Sequence, residues 1–163
     1  MDGDQPAAVV LGTPVGSIAF QQKALITASD KVRHFHQALA HLQNPQVELF
    51  LARHSLGLCR ITHLIRTVDS SHIQGELDTF DSTLLSTLNR IALTSLSANA
   101  WAQSGLPIRM GGLSLSHSRL IAPAAYTSSA LQFAERATAL LLPSEASHPT
   151  EALKLAVNQL PRQ

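Results

Sequence analysis

Histidine and arginine are the side chains through which this sequence could do chemistry. There are eight histidines, and His34, His36, His41, His54 and His63 all fall in the stretch from Lys23 to Arg66. A metal site is the first chemistry to test. On one helix His34 and His41 share a face, but at 1.5 Å rise per residue they stand about 10.5 Å apart along the axis, too far for a single ion. His34 and His36 point to nearly opposite sides. There is no HExxH and no paired-cysteine spacing. No metal and no cofactor is expected.

Nucleophilic and acid–base catalysis find no better purchase. None of the many serines stands in a GxSxG context. The single cysteine, Cys59, lies in an apolar helical run and reads as a small buried hydrophobe rather than a reactive thiol. No carboxylate pair sits in an apolar surround that would mark an acid and a base. Gly111-Gly112 lacks the Lys-Ser/Thr of a phosphate loop and reads as a turn. Trp101 reads as a core anchor rather than a base-stacking platform. No catalytic residue is expected.

The basic side chains remain. Between Lys23 and Arg66 there are six (Lys23, Lys31, Arg33, Arg53, Arg60, Arg66) against two acidic residues, Asp30 and Glu48. From Asp69 to Asp81 the sign reverses, with Asp69, Glu76, Asp78 and Asp81 and no Lys or Arg. Arg53 and Arg60, seven apart on a continuous second helix, would share a face, with Arg66 near its end and Lys31 and Arg33 on the helix before. Such a row tracks phosphates without reading bases, and each contact is salt-sensitive. Lys31, Arg33, Arg53, Arg60 and Arg66 are therefore the candidate nucleic-acid-binding residues. The alternative is that these arginines face solvent or pair with Glu76, Asp78 or Asp81 on the third helix, each pair contributing at most about 1 kcal/mol.

The elements that must position these residues are helical. At 163 residues the chain is long enough for one domain with a real core. With 45% apolar, 14% charged and only 4% aromatic residues, that core must be built from Leu, Ile, Val and Ala. The net charge of +1 hides the asymmetry described above. No apolar run approaches the roughly 18–20 residues a membrane span requires, and MDGDQPAAVV does not read as a signal peptide. One cysteine excludes an internal disulfide. An intracellular protein with no membrane partner is expected.

Residues 1–8 read as a disordered lead-in and residues 9–142 as one helical domain. Ala8 to Leu11 suits a short strand, stopped by Gly12-Thr13-Pro14 and without a partner. Ser17 is a candidate N-cap for a helix over Ile18–His41, whose Phe20, Ala24, Ala28, Val32, Phe35 and Leu39 would form its buried face. Asn44 and Pro45 suit the cap and first turn of a second helix carrying Val47 to Val68, which Gly57 weakens without ending. Ser70-Ser71 opens a third helix with the clearest stripe: Ile73, Leu77, Phe80, Leu84, Leu88 and Ile91. Ser97 caps a short helix from Ala98 to Ser104, which places Trp101 inward and ends at Gly105. Leu106 to Leu115 is a loop pinned by Leu106, Ile108, Leu113 and Leu115. A fifth helix over Ser116–Leu142 should kink or split at Pro123. A linker and a short helix capped by Thr150 fill residues 143–163. The predicted class is all-α, a single bundle of about five or six helices with a short strand near the N-terminus.

Three blocks carry a resemblance: VLGTPVG over residues 10–16, NPQ with LGLCRI over residues 44–61, and WAQ leading to LPI and GGLSL over residues 101–115. With Phe80-Asp81 between them and APAAY over residues 122–126 after them, this ordered set resembles the segment that follows the catalytic palm in reverse-transcriptase-like proteins of non-LTR retrotransposons. The match spans roughly residues 9 to 131. It implies a thumb and the helices beyond it, which hold a primer–template duplex. It therefore implies an RNA/DNA duplex as partner, contacted through phosphates. Polymerisation requires metal-binding aspartates of the YxDD type on a palm sheet, and no such motif occurs here.

Three functions follow as expectations. The first is a truncated or domesticated retroelement-derived helical domain, non-catalytic, with weak sequence-independent nucleic-acid affinity. The second is a helical module that binds another protein at the surface vacated by the palm. The third is a small enzyme on a recruited scaffold, with a pocket near Gly111-Gly112 and His117.

Overall fold

The computed structural model describes residues 7–140, so most of the lead-in and the whole of the 143–163 linker and helix lie outside the described residues. The chain opens with a hairpin, β1 (Ala8–Val10) and β2 (Thr13–Val15), and continues through α1 (Ile18–Leu39), α2 (Pro45–His54), α3 (Thr62–Thr67), α4 (Gln74–Ala92), α5 (Ala98–Ser104) and α6 (Ser118–Leu140). The class is all-α with a small N-terminal sheet, as the composition requires.

The strand at Ala8 does have a partner, contrary to expectation. Val9 pairs with Pro14 and Val10 with Thr13 in an antiparallel register. The two turn residues, Leu11 and Gly12, both take positive φ (50° and 84°). That is the twist a two-residue hairpin demands. Gly12-Thr13-Pro14 thus reverses the chain where it was read as a stop. Thr13 Oγ1 lies 3.0 Å from His63 Nε2, which ties the hairpin to α3.

Three helix starts lie where their caps place them. Ser17 Oγ accepts from Phe20 N, Asn44 Oδ1 from Val47 N and Ser97 Oγ from Ala100 N, each satisfying a first-turn N–H that has no partner in the helix. The start of α4 is different. Ser70–His72 forms a 3-10 turn, and the helix proper begins at Gln74.

The main core joins Leu25 and Val32 of α1, Ile61 and Ile65 around α3, Val68, Ile73, the α4 stripe Leu77, Phe80 and Leu84, and Ala122 of α6. Leu88 is buried as predicted, and Ile91 is half-buried. A smaller cluster of Leu39, Ala52 and Leu56 closes the end where α2 packs on α4. α1 buries Leu25, Ser29, Val32, His36 and Leu39. The predicted face was therefore rotated: Val32 and Leu39 are core, whereas Phe35 is 50% exposed and Phe20, Ala24 and Ala28 are half-buried on the neighbouring face.

The second helix does not continue to Val68. Ser55 N and Leu56 N both donate to Leu51 O, closing α2 at His54. A Cβ at Gly57 would lie 2.9 Å from the Ala52 carbonyl oxygen, so the glycine allows the chain to turn back against the helix it has just left. A 3-10 turn over Leu58–Arg60 then leads into α3. Cys59, expected to be buried, is exposed on this turn.

The 105–115 loop is held by its backbone and by Leu115. Leu113 N and Leu115 N both donate to Ser104 O, and Ser114 N donates to Leu106 O. Leu115 is buried, but Leu106 and Ile108, predicted to pin the loop, are 39% and 60% exposed. A Cβ on Gly112 would fall 2.0 Å from Leu106 O, so only glycine fits there. α6 then runs through Pro123 as one helix rather than splitting. Its start is capped from α4: Ser118 N donates to Asp81 Oδ1 at 2.8 Å and Arg119 N to Asp81 Oδ2 at 3.2 Å.

Candidate functional site

The break after α2 decides where the basic residues go. Arg53 and Arg60 do not share a helix face, because Arg53 belongs to α2 and Arg60 to the 3-10 turn beyond it. Arg60 instead turns toward α1. Its guanidinium carbon stands 5.4 Å from the centre of the Phe35 ring, a cation–π contact. Its Nε donates to Ser55 O at 2.7 Å. The two terminal nitrogens of the fork form no hydrogen bond or ion pair among the described residues. The side chain is thus held in place with its phosphate-binding end open.

Across from it lies α1. Lys23, Thr27 and Lys31, spaced by four, form one edge of a groove of about 580 Å³, and Arg60 and His63 form the other. Its floor is apolar: Phe20, Ala24, Ala28, Val32, Phe35 and Leu64, with Val9 and Gly12 of the hairpin at one end. No carboxylate lines it. Neither lysine has an ion-pair partner among the described residues.

Of the five predicted residues, the structure brings together Lys31 and Arg60. It adds Lys23 and His63, which the sequence reading had left out. Lys23 and Lys31 are eight apart, close to two helical turns plus a fraction, and that spacing was the available signal. Arg66 is exposed on α3 and Arg53 is half-buried on α2, and neither lines the groove. Arg33 faces a different cleft and pairs with Asp30 at 2.9 Å.

The acidic segment does not neutralise the groove. Asp69 Oδ1 accepts from Ser71 N, Asp78 pairs with Arg119, and Asp81 caps α6. Among the described residues none of the candidate arginines pairs with Glu76, Asp78 or Asp81, whereas Arg66 is exposed to solvent, the other half of the predicted alternative.

The second cleft, about 490 Å³, lies between α1 and α4 and is lined by Arg33, Gln37, Thr83, Ser86 and Arg90, among others. Arg90 pairs with Glu48, a carboxylate that is almost fully buried. Buried His36 also borders it, with Nε2 3.1 Å from Leu56 O and Nδ1 2.9 Å from Thr87 Oγ1. A carbonyl only accepts, so Nε2 carries the proton and Nδ1 accepts from the Thr87 hydroxyl. Burial lowers the His36 pKa from its ordinary 6.5, and the nearby Arg90 charge lowers it further, while the Leu56 hydrogen bond acts the other way.

Among the described residues His117 is the other buried histidine. Its ring stacks on Trp101 with centroids 4.0 Å apart, so Trp101 is the core anchor predicted. Burial lowers its pKa, and the charge of Asp81 raises it in part. The cleft near the Gly111-Gly112 loop holds about 220 Å³ and is lined mainly by Leu88, Ala92, Leu96, Ala100 and Leu113. Among the described residues no three His, Cys, Asp or Glu side chains are placed to share a metal ion. No helix there is long and apolar enough to cross a membrane. No protein-family model, curated protein or solved structure matches the chain.

Proposed function

We propose that this chain is a non-catalytic, retroelement-derived helical domain that holds nucleic acid by its phosphates, without reading sequence, in the groove between α1 and α3. One observation carries the reading: Lys23, Lys31, Arg60 and His63 face one groove with no carboxylate among them. Three exposed cations with no carboxylate between them give the groove a positive field, and a polyanion meets all three at once. The fixed, open fork of Arg60 suits a phosphate oxygen pair. The resemblance to the post-palm segment of retrotransposon reverse transcriptases supports the same assignment and a duplex of the primer–template type.

The test is fluorescence anisotropy with a labelled RNA–DNA duplex and with each of its strands. If three or four phosphates are neutralised, affinity for the duplex should fall about 40- to 150-fold between about 50 and about 200 mM salt. Lys31→Glu with Arg60→Glu should reduce binding by at least about tenfold and flatten the salt slope by about two. Helix content should be unchanged. No binding of duplex or strand at low salt would end this reading.

A second reading, a helical protein–protein interaction module, has one observation in its favour. Val9, Val10 and Leu11 of the hairpin are 63%, 54% and 95% exposed, next to Val15 and Ile18. A partner that covers this apolar hairpin would leave the basic groove open. Binding that survives the double charge reversal but is lost in Val10→Asp would assign that surface instead.

A further inference from the structure

The groove has two kinds of surface, and a duplex satisfies only one of them. Its edges are cationic, but its floor is a strip of apolar side chains from Phe20 through Ala24 and Ala28 to Phe35. A duplex presents sugars and phosphates outward and keeps the faces of its bases stacked on each other. It would neutralise Lys23, Lys31 and Arg60 and leave the floor uncovered. A single strand has base faces to spare, and proteins that bind single strands pair a basic track with aromatic rings on which bases stack.

We infer that the groove takes a single strand, DNA or RNA, with bases laid on the floor and phosphates on the cationic edges. This rests on the nucleic-acid reading above and changes the form of the ligand. Phe20 and Phe35 both line the groove, and fifteen residues of helix separate them by about 22 Å, room for several nucleotides. Phe35 is half exposed although it is a large apolar ring. The guanidinium of Arg60 sits over that ring and is held there by the Ser55 carbonyl. A half-exposed aromatic ring therefore lies next to a fixed cation whose two terminal nitrogens are free for a phosphate. Lys23, Thr27 and Lys31 run along the same length of helix, so the cationic edge and the apolar floor follow one path. Charge complementarity selects a polyanion, and the floor selects one with exposed planar apolar faces.

The experiment compares a labelled oligothymidylate of about twelve nucleotides with the same strand annealed to its complement, by anisotropy at low salt. The strand should bind at least about fivefold more tightly than the duplex. Phe20→Leu with Phe35→Leu keeps the floor apolar but removes both rings. It should weaken strand binding by about fivefold or more per ring lost, whereas duplex binding, which Phe35 reaches only through its contact with Arg60, should fall by no more than about twofold, with helix content unchanged. Equal or tighter duplex binding would overturn the inference while leaving phosphate binding intact. So would an equal loss of strand and duplex binding in the leucine variant. If neither nucleic acid binds but an acidic amphipathic peptide does, both readings fall and the groove belongs to a protein partner.

Discussion

Helix α1 is flanked by two clefts of similar size, about 580 Å³ toward α3 and about 490 Å³ toward α4, and their charges are arranged in opposite ways. Toward α4 both arginines have carboxylate partners, Arg33 with Asp30 and Arg90 with Glu48. The rest of that cleft is mostly hydroxyls and amides whose own bonds are largely met within the fold, as Thr87 meets His36 and Thr83 meets the Thr79 carbonyl. Toward α3 the lysines and Arg60 have no carboxylate, and the floor is apolar and open. Cations in the α4 cleft are engaged within the chain: Arg90 ties α4 to α2 through Glu48, and Arg33 pairs with Asp30 along α1. In the α3 groove the lysines have no ion-pair partner among the described residues and Arg60 leaves its two terminal nitrogens unbonded, which is why these cations are the ones assigned to a ligand.

The sharpest way to break this comparison is at Arg90. Removing it by Arg90→Ala leaves Glu48 buried without its partner, and a separated buried pair costs about 3 kcal/mol, the low end of the usual range because Arg90 is partly exposed. Urea denaturation should show that loss, with nucleic-acid affinity of the folded fraction unchanged. Lys31→Glu with Arg60→Glu should do the reverse, weakening nucleic-acid binding while costing only about 1 kcal/mol of stability for the exposed Arg60 contacts with Phe35 and the Ser55 carbonyl. If both variants lose stability equally, the two sides of α1 do not divide the work.

A smaller effect should appear with pH. His36, beside the α4 cleft, and His117 both have folded pKa values below the ordinary 6.5, chiefly because burial disfavours the charged ring. The unfolded chain therefore binds protons first as pH falls. The stability these neutral rings contribute is fully present above about pH 6.5 and is lost as pH drops from there toward the folded values, by at most about 1.4 kcal/mol per unit for each. Protonated His36 would also need Thr87 to turn its hydroxyl and accept. The urea midpoint should fall between about pH 7.5 and about pH 5.5, and His36→Gln should weaken that dependence. A pH-independent midpoint would mean that the fold lowers neither ring's pKa.

The α4 stripe and the caps at Ser17, Asn44 and Ser97 were legible because each depends only on residues within one or two helical turns. The end of α2 was not. Val47 to Leu51 and Leu58 to Val68 are both amphipathic, so periodicity runs across a break that only the packing of Gly57 against Ala52 O reveals. That break displaces the site: a continuous helix puts Arg53 and Arg60 on a shared face, whereas the turn at Leu58–Arg60 sends Arg60 toward α1, beside His63 and the α1 lysines. The hairpin hid for a similar reason. Pro14 has the look of a terminator, yet it sits in the middle of β2 opposite Val9, where an edge strand tolerates it. The rotated face of α1 has a different cause. Two apolar stripes lie side by side on that helix, and the hydrophobic pattern alone gives no reason to bury Leu25 and leave Phe35 half exposed.

Arg33 provides the finest division between the two clefts. It lies two residues from Lys31 on α1, and although both are candidate phosphate contacts, that spacing sets them on nearly opposite sides of the helix. The structure turns Arg33 toward α4, where it pairs with Asp30 one turn earlier, both side chains about half exposed. An exposed i,i+3 pair of this kind is worth no more than about 0.5 kcal/mol, so Arg33→Ala should scarcely move the urea midpoint. Its charge is already balanced by Asp30 and faces away from the groove, so its loss should leave the salt slope of nucleic-acid binding unchanged, whereas Lys31→Ala should reduce that slope by about one. Side-by-side titrations of the two variants would measure this directly. Equal slopes lost at both positions would mean that a bound strand or duplex wraps over α1 and that the groove is only part of the contact.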